Sequence, residues 1–83
     1  FLHHLPPEHR QLLDTILSIR GVKLPELLER LRIFFVVKKP KAKINENLYE
    51  TNKHLISELT QQLSEFLGVK LDEKFVYQLL VSY

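Results

Sequence analysis

GVKL occurs twice in this chain of 83 residues, at positions 21–24 and again at positions 68–71. Apolar residues with helical spacing lie before and after each copy. Glycine often follows the last turn of a helix, because it adopts a left-handed backbone without a steric penalty. The valine after it offers the hydrophobic contact that accompanies such an end, and the leucine leads into the next helix. Each GVKL is therefore predicted to form a corner between two helices.

Working outward from these corners, the apolar spacing predicts four helices. They cover residues 6–20, 25–38, 46–67 and 72–83 to within about two residues, with a basic loop at 39–45. Capping signals agree with these limits. Prolines open the first two helices. Asn45 or Asn47 caps the third helix, and Asn47 with Glu50 has capping-box spacing. Asp72 precedes the last helix. Leu71 and Val76 are spaced to form a hydrophobic staple there.

The chain is predicted to be a small all-α domain made of two antiparallel αα-hairpins. A hairpin cannot bury both of its faces alone, so the two should pack together as a four-helix unit. The alternative concerns residues 33–37, which are β-prone and could form a short strand.

The two corners also suggest an internal repeat. When Gly21 is aligned with Gly68, three apolar residues before the first corner match three before the second: Leu12, Ile16 and Ile19 fall on Leu59, Leu63 and Phe66. Duplication is one interpretation, and the other is that good helix corners converge on similar residues.

Composition limits the class of protein. With 45% hydrophobic and 27% charged residues, the chain is typical of a globular domain. It has no cysteine, so it has neither a disulfide framework nor a thiolate metal site, and we expect an intracellular protein, nuclear or cytoplasmic. The longest apolar run has five residues, so no membrane span is expected. Because the chain begins with Phe1 rather than Met, we expect a piece of a longer protein.

No catalytic, cofactor or metal site is predicted. His3, His4 and His9 straddle two prolines, and His54 lies far along the chain, which is unlike the spacing of zinc ligands. The carboxylates fall on polar helix faces or in first turns, where capping explains them. The serines lack the nucleophile-elbow pattern, and no glycine-rich phosphate loop is present. We therefore expect a protein that is not an enzyme.

KKPKAK at residues 38–43 is the most concentrated polar feature. Its lysines, Lys38, Lys39, Lys41 and Lys43, are four of the twelve basic residues, which leaves eight against ten acidic residues elsewhere. Such a cluster can neutralise several phosphates, and KKPK also fits a short nuclear-import pattern. No aromatic residue interleaves the lysines, so nucleic acid would be bound through its backbone charge. A solvated loop between helices is the alternative interpretation.

Apolar residues exceed what one core face needs. In the second helix Leu27, Leu28, Leu31, Phe34 and Phe35 supply a core stripe, and other apolar residues lie off it. A helix that is apolar on more than one face is normally buried on more than one face. The predicted partner-binding residues on the second and last helices are Ile33, Val36, Val37, Tyr77 and Val81. The alternative is that the second helix is surrounded within the domain.

The favoured function is accordingly a non-catalytic protein–protein interaction or assembly module. Its partner would be another protein, another domain of the same chain, or a second copy in a homodimer. The alternative function is electrostatic binding of nucleic acid or an acidic partner through the lysine cluster at 38–43.

SEFLGVKLDEKFVYQLLVSY, residues 64–83, loosely resembles the second half of PWI-type helical domains. The resemblance covers about 20 residues and rests on the apolar spacing around LGV. It would imply a helical domain that binds RNA and splicing proteins. The Pro-Trp-Ile signature of that family is missing, and the chain contains no tryptophan, so no family is assigned.

Overall fold

The protein is a small all-α domain. The computed structural model describes residues 5–40 and 48–82, except for the side chain of Leu48. The described residues form five helices: α1 Pro7–Arg20, α2 Leu24–Lys38, α3 Leu48–Thr51, α4 Lys53–Leu67 and α5 Glu73–Ser82. Residues 33–37 lie within α2, so the alternative of a short strand is wrong.

Both GVKL corners end a helix as predicted. Gly21 and Gly68 are left-handed, with φ of 68° and 71°. After α1, the amide of Val22 donates to the carbonyl oxygen of Leu17 at 3.0 Å, and that of Gly21 to Ser18 at 3.3 Å. These two bonds form a Schellman motif, in which the left-handed residue satisfies carbonyls that the helix leaves free. The origin of the two corners by duplication stays a prediction.

Arg20 joins the two corners to each other. Its Nε donates to the carbonyl oxygen of Leu67, the last residue of α4, at 2.8 Å. Its guanidinium lies over Gly68, where an added Cβ would collide with it. The last residue of α1 therefore caps the end of α4, and the missing side chain of Gly68 makes room for the capping group.

The predicted third helix differs from the observed structure. In place of one helix over 46–67, α3 and α4 are separated at Asn52, whose φ of −109° and ψ of 19° are not helical. Asn52 is buried, and its carbonyl oxygen accepts from the amide of Ile56 at 2.8 Å. Asparagine favours such breaks, because its side chain competes for backbone hydrogen bonds. The predicted cap at Asn45 or Asn47 lies outside the described residues.

The fourth predicted helix begins as expected. The Oδ1 of Asp72 accepts a hydrogen bond from the amide of Lys74 at 3.3 Å, which is N-cap geometry. Leu71 and Val76, the predicted staple residues, are both buried in the hydrophobic core.

Helix α4 organises the core. Its closest helix neighbours are α5, α3 and α1. The core draws leucine, phenylalanine and valine side chains from four of the helices and both corners; its best-buried members are Leu13, Leu27, Leu31, Leu59, Leu63, Val76 and Leu79. The finer arrangement as two antiparallel hairpins stays a prediction.

The aligned residues of α1 and α4 are not equally buried. Leu59 is buried, whereas its counterpart Leu12 is 46% exposed. Phe66 is partly buried, whereas its counterpart Ile19 is 72% exposed. The reason is position: α4 packs against α5, α3 and α1, whereas α1 buries only Leu13 and Leu17. Equal spacing in the sequence therefore does not give equal packing.

Candidate protein-binding groove between α2 and α4

A groove of about 680 Å³ lies between α2 and α4. Its floor consists of Phe34, Leu59 and Leu63, which are buried members of the core. Helix α2 contributes the exposed side chains of Ile33 and Val37 to one wall. The groove is therefore an apolar depression that continues outward from the hydrophobic core.

The other wall belongs to α4, and two contacts fix the register of the helices. Near one end, the ammonium of Lys38 lies 3.0 Å from a carboxylate oxygen of Glu58. Further along, the guanidinium of Arg30 stacks over the ring of Phe66 at 4.2 Å. The end of α2, at Lys38, thus lies beside the first half of α4, at Glu58. The first half of α2, at Arg30, lies beside the end of α4, at Phe66. The two walls run antiparallel beside the groove.

Charged residues of both signs line the groove. Glu26, Glu29 and Arg30 line it in the first half of α2, and Lys38 lines it at the end of that helix. Arg32 donates two hydrogen bonds to the carboxylate of Glu29, the shorter at 2.6 Å, and this bonding lowers the pKa of Glu29. Glu26 is exposed and forms no ion pair with any described residue.

The structure brings two of the five predicted contact residues into the groove. Ile33 and Val37, 48% and 66% exposed, are one helical turn apart on α2. Val36 is also exposed, but it does not line the groove, and neither does Val81 on α5. None of these four side chains is enclosed within the described part of the domain.

The fifth predicted contact residue, Tyr77, is partly buried. Its ring packs edge-on against the ring of Tyr49, with centroids 5.6 Å apart. The hydroxyl of Tyr49 lies 3.4 Å from a carboxylate oxygen of Glu73, as a donor to it. Burial of Tyr49 and the negative charge of Glu73 both raise the pKa of Tyr49. Tyr77 thus belongs to an aromatic contact between α3 and α5, away from the groove.

The lysine cluster is described only in part. Lys38 is paired with Glu58, and Lys39 follows it in a left-handed conformation, with φ of 49°. The amide of Lys39 donates to the carbonyl oxygen of Phe35 at 3.1 Å, which closes α2. Lys41 and Lys43 lie outside the described residues, as does most of the predicted loop at 39–45.

Several groove residues were not among those predicted to contact a partner. Leu59, Leu63 and Phe66 were named only for their match to apolar residues before the first corner, and Arg30 was not singled out. Their spacing does predict an apolar face on α4, but spacing cannot show that α2 covers only part of that face. Leu12 and Ile19 of α1 are also exposed.

Among the described residues, no group of three or more histidine, aspartate or glutamate side chains is close enough to hold a metal ion. The ring of His9 packs against Phe75, with centroids 5.7 Å apart. His3 and His4 lie outside the described residues. No described helix is long and apolar enough to cross a bilayer.

Comparison with known proteins identifies no relative. No protein-family model matches the chain, and no curated protein or solved structure is detectably similar to it. The short resemblance of residues 64–83 to PWI-type domains consequently has no support from a family match, and inferences about function rest on the groove and its surroundings.

Proposed function

We propose that this domain is a non-catalytic protein–protein interaction module and that its partner docks on the apolar face of α2, centred on the groove with α4. The observation that carries the proposal is the exposure of Ile33 and Val37 directly above buried core residues. Contiguous exposed apolar side chains rimmed by polar residues mark protein–protein interaction sites and ligand-binding grooves. We further propose an intracellular setting, in keeping with a chain that has no cysteine.

Aspartate in place of Val37 tests the proposal. Val37 is 66% exposed, so the substitution should leave the helical circular dichroism and the unfolding midpoint nearly unchanged. In a complex, the new carboxylate would be buried against apolar surface, which is strongly unfavourable. We expect the affinity for a partner to fall by about tenfold or more.

Ile19→Asp is the matched control, because Ile19 is similarly exposed but lies on α1. Wild-type, Val37→Asp and Ile19→Asp domains would each be used to isolate binding proteins, which would be identified, purified and measured by calorimetry. A partner that binds wild type and Ile19→Asp equally, but Val37→Asp at least about tenfold more weakly, supports the proposal. Equal affinity for all three places the binding surface elsewhere.

The alternative function is tested in parallel by fluorescence anisotropy with short RNA and DNA. Binding through the lysine cluster should fall steeply with salt, because counterions are released from the phosphates. It should also vanish when Lys38, Lys39, Lys41 and Lys43 are all changed to Gln. If the proposed function is correct, the dissociation constant for RNA or DNA should be above about 1 mM at moderate salt. Tight, salt-dependent binding would instead make nucleic acid the preferred partner.

A further inference from the structure

We propose that Tyr49 is a phosphorylation site and that a phosphate on its hydroxyl releases α3 from α5. The site lies away from the groove between α2 and α4, so its modification does not depend on the proposed function. The reaction needs ATP and a tyrosine kinase. The hydroxyl oxygen bonds to the γ-phosphorus of ATP, the bond from that phosphorus to the bridging oxygen breaks, and ADP leaves with the electron pair. The hydroxyl proton passes to the catalytic aspartate of the kinase.

The two tyrosines in the described residues differ in how firmly the fold holds them. Tyr77 lies in the middle of α5, between the buried core residues Phe75 and Leu79. Tyr49 is partly buried and lies in α3, a single turn of four residues. A helix this short has little stability of its own. Local opening that presents Tyr49 to a kinase therefore costs less than opening that presents Tyr77.

The break at Asn52 allows α3 to open without disturbing α4. The backbone of Asn52 is not helical, and its carbonyl oxygen accepts a hydrogen bond from the amide of Ile56 at 2.8 Å. Helix α4 thus starts its own ladder of hydrogen bonds after the break. Because Asn52 is itself buried, that start is fixed in the interior. Opening of residues 48–51 leaves the central helix of the core in place.

Negative charges lie around the hydroxyl of Tyr49. It donates to a carboxylate oxygen of Glu73 at 3.4 Å. Among the described residues, the charges that act on it are all negative and belong to Glu73, Glu50 and Asp72. A phosphate carries about 1.5 to 2 negative charges at pH 7. Phosphorylation therefore replaces a favourable contact with repulsion, and the ring of Tyr49 separates from that of Tyr77.

Release of Tyr49 uncovers part of the outer face of α5. Tyr77 and Val81 are one helical turn apart, so their side chains share a face of that helix. Val81 is already 39% exposed, whereas Tyr77 is partly covered by the edge-on ring of Tyr49. In the phosphorylated domain both side chains are open to solvent. Phosphorylation thus switches this face of α5 from covered to exposed.

Phosphorylation in vitro tests the site. The Tyr83→Phe domain keeps two tyrosines, and it would be incubated with ATP and a soluble tyrosine kinase, then analysed by peptide mass spectrometry. Synthetic peptides of residues 43–55 and 71–83 correct for the sequence preference of the kinase. After that correction, Tyr49 should be phosphorylated at least about tenfold faster than Tyr77, because its helix opens more readily. Equal rates, or no phosphate on Tyr49, would overturn the site.

A domain synthesised with phosphotyrosine at position 49 tests the conformational change. In the unmodified domain, nuclear Overhauser effects should join the rings of Tyr49 and Tyr77, whose centroids are 5.6 Å apart. They should also join the rings of His9 and Phe75, whose centroids are 5.7 Å apart. Phosphorylation should abolish the first contact and keep the second. In a Glu73→Gln domain, which lacks the nearest carboxylate, the phosphate should release a smaller fraction of the molecules.

Three outcomes would overturn the switch. If the contact between Tyr49 and Tyr77 survives phosphorylation, the phosphate does not release α3. If both ring contacts are lost together with the helical circular dichroism, the phosphate unfolds the domain, and α3 does not open by itself. If release is equally complete with and without Glu73→Gln, repulsion from that carboxylate is not the cause.

Discussion

Lys39 is the one described residue other than glycine whose backbone is left-handed, with φ of 49°. This conformation costs a residue with a Cβ about 1 kcal/mol, and glycine adopts it freely. Lys39→Gly should therefore stabilise the domain by about 1 kcal/mol, measured as the free energy of unfolding in urea. Lys39→Ala keeps the strain and removes only the charge, so it should be nearly neutral. If both variants were equally stabilised, the cause would be the loss of the lysine charge and not the relief of backbone strain.

Tyr49 should respond to alkaline pH. Its pKa is raised by burial and by Glu73, so folding favours the protonated hydroxyl. The stabilisation is fully present below the ordinary tyrosine pKa of about 10 and is lost as the pH rises through the folded-state value. When tyrosinate absorbance is followed against pH, one component should titrate at a higher pH than tyrosine in the unfolded chain. This component should disappear in Tyr49→Phe and persist in Tyr77→Phe. A wild-type titration without such a component would contradict this expectation.

At the scale of helices, the two glycine corners differ in one contact. An alanine Cβ at position 21 would meet nothing within 4 Å, whereas at position 68 it would displace the guanidinium of Arg20. Both substitutions should cost about 1–2 kcal/mol for the left-handed backbone. Gly68→Ala should cost about 1 kcal/mol more, because the hydrogen bond from Arg20 to Leu67 is also lost.

The Arg20→Ala background isolates that contact. In it, Gly21→Ala and Gly68→Ala should destabilise the domain equally, as judged by urea unfolding and a double-mutant cycle. If the difference between them persists without Arg20, the extra cost at Gly68 has another origin.

At the scale of the whole molecule, neighbouring residues of α2 separate stability from binding. Phe34 is 4% exposed and Ile33 is 48% exposed. Phe34→Ala should reduce the free energy of unfolding by about 3–4 kcal/mol, because it leaves a cavity in the core. Ile33→Ala should change it by less than about 1 kcal/mol, yet it should weaken binding of a groove ligand. Similar losses of stability in thermal or urea unfolding would show that Ile33 is part of the core.

The sequence by itself determined the helices and their corners. Local chemistry sufficed: glycine for the left-handed ends, proline for first turns, and Asp72 for a cap. The break at Asn52 was missed because apolar residues with helical spacing continue across it, from Leu48 to Leu55 and Ile56. A buried asparagine that interrupts a helix depends on its tertiary surroundings, and spacing does not report them.

Only the tertiary structure decided which apolar faces are covered. Periodicity predicts that a face is apolar, and the apolar residues of α1 include Leu12 and Ile19 as well as Leu13 and Leu17. The packing buries only the latter pair, and it leaves α2 and α4 parted above Phe34 and Leu63. Burial depends on where distant segments approach, as Arg20 approaches Leu67 across 47 residues of sequence. Such long-range contacts depend on the packing of the whole chain, so local propensity does not predict them.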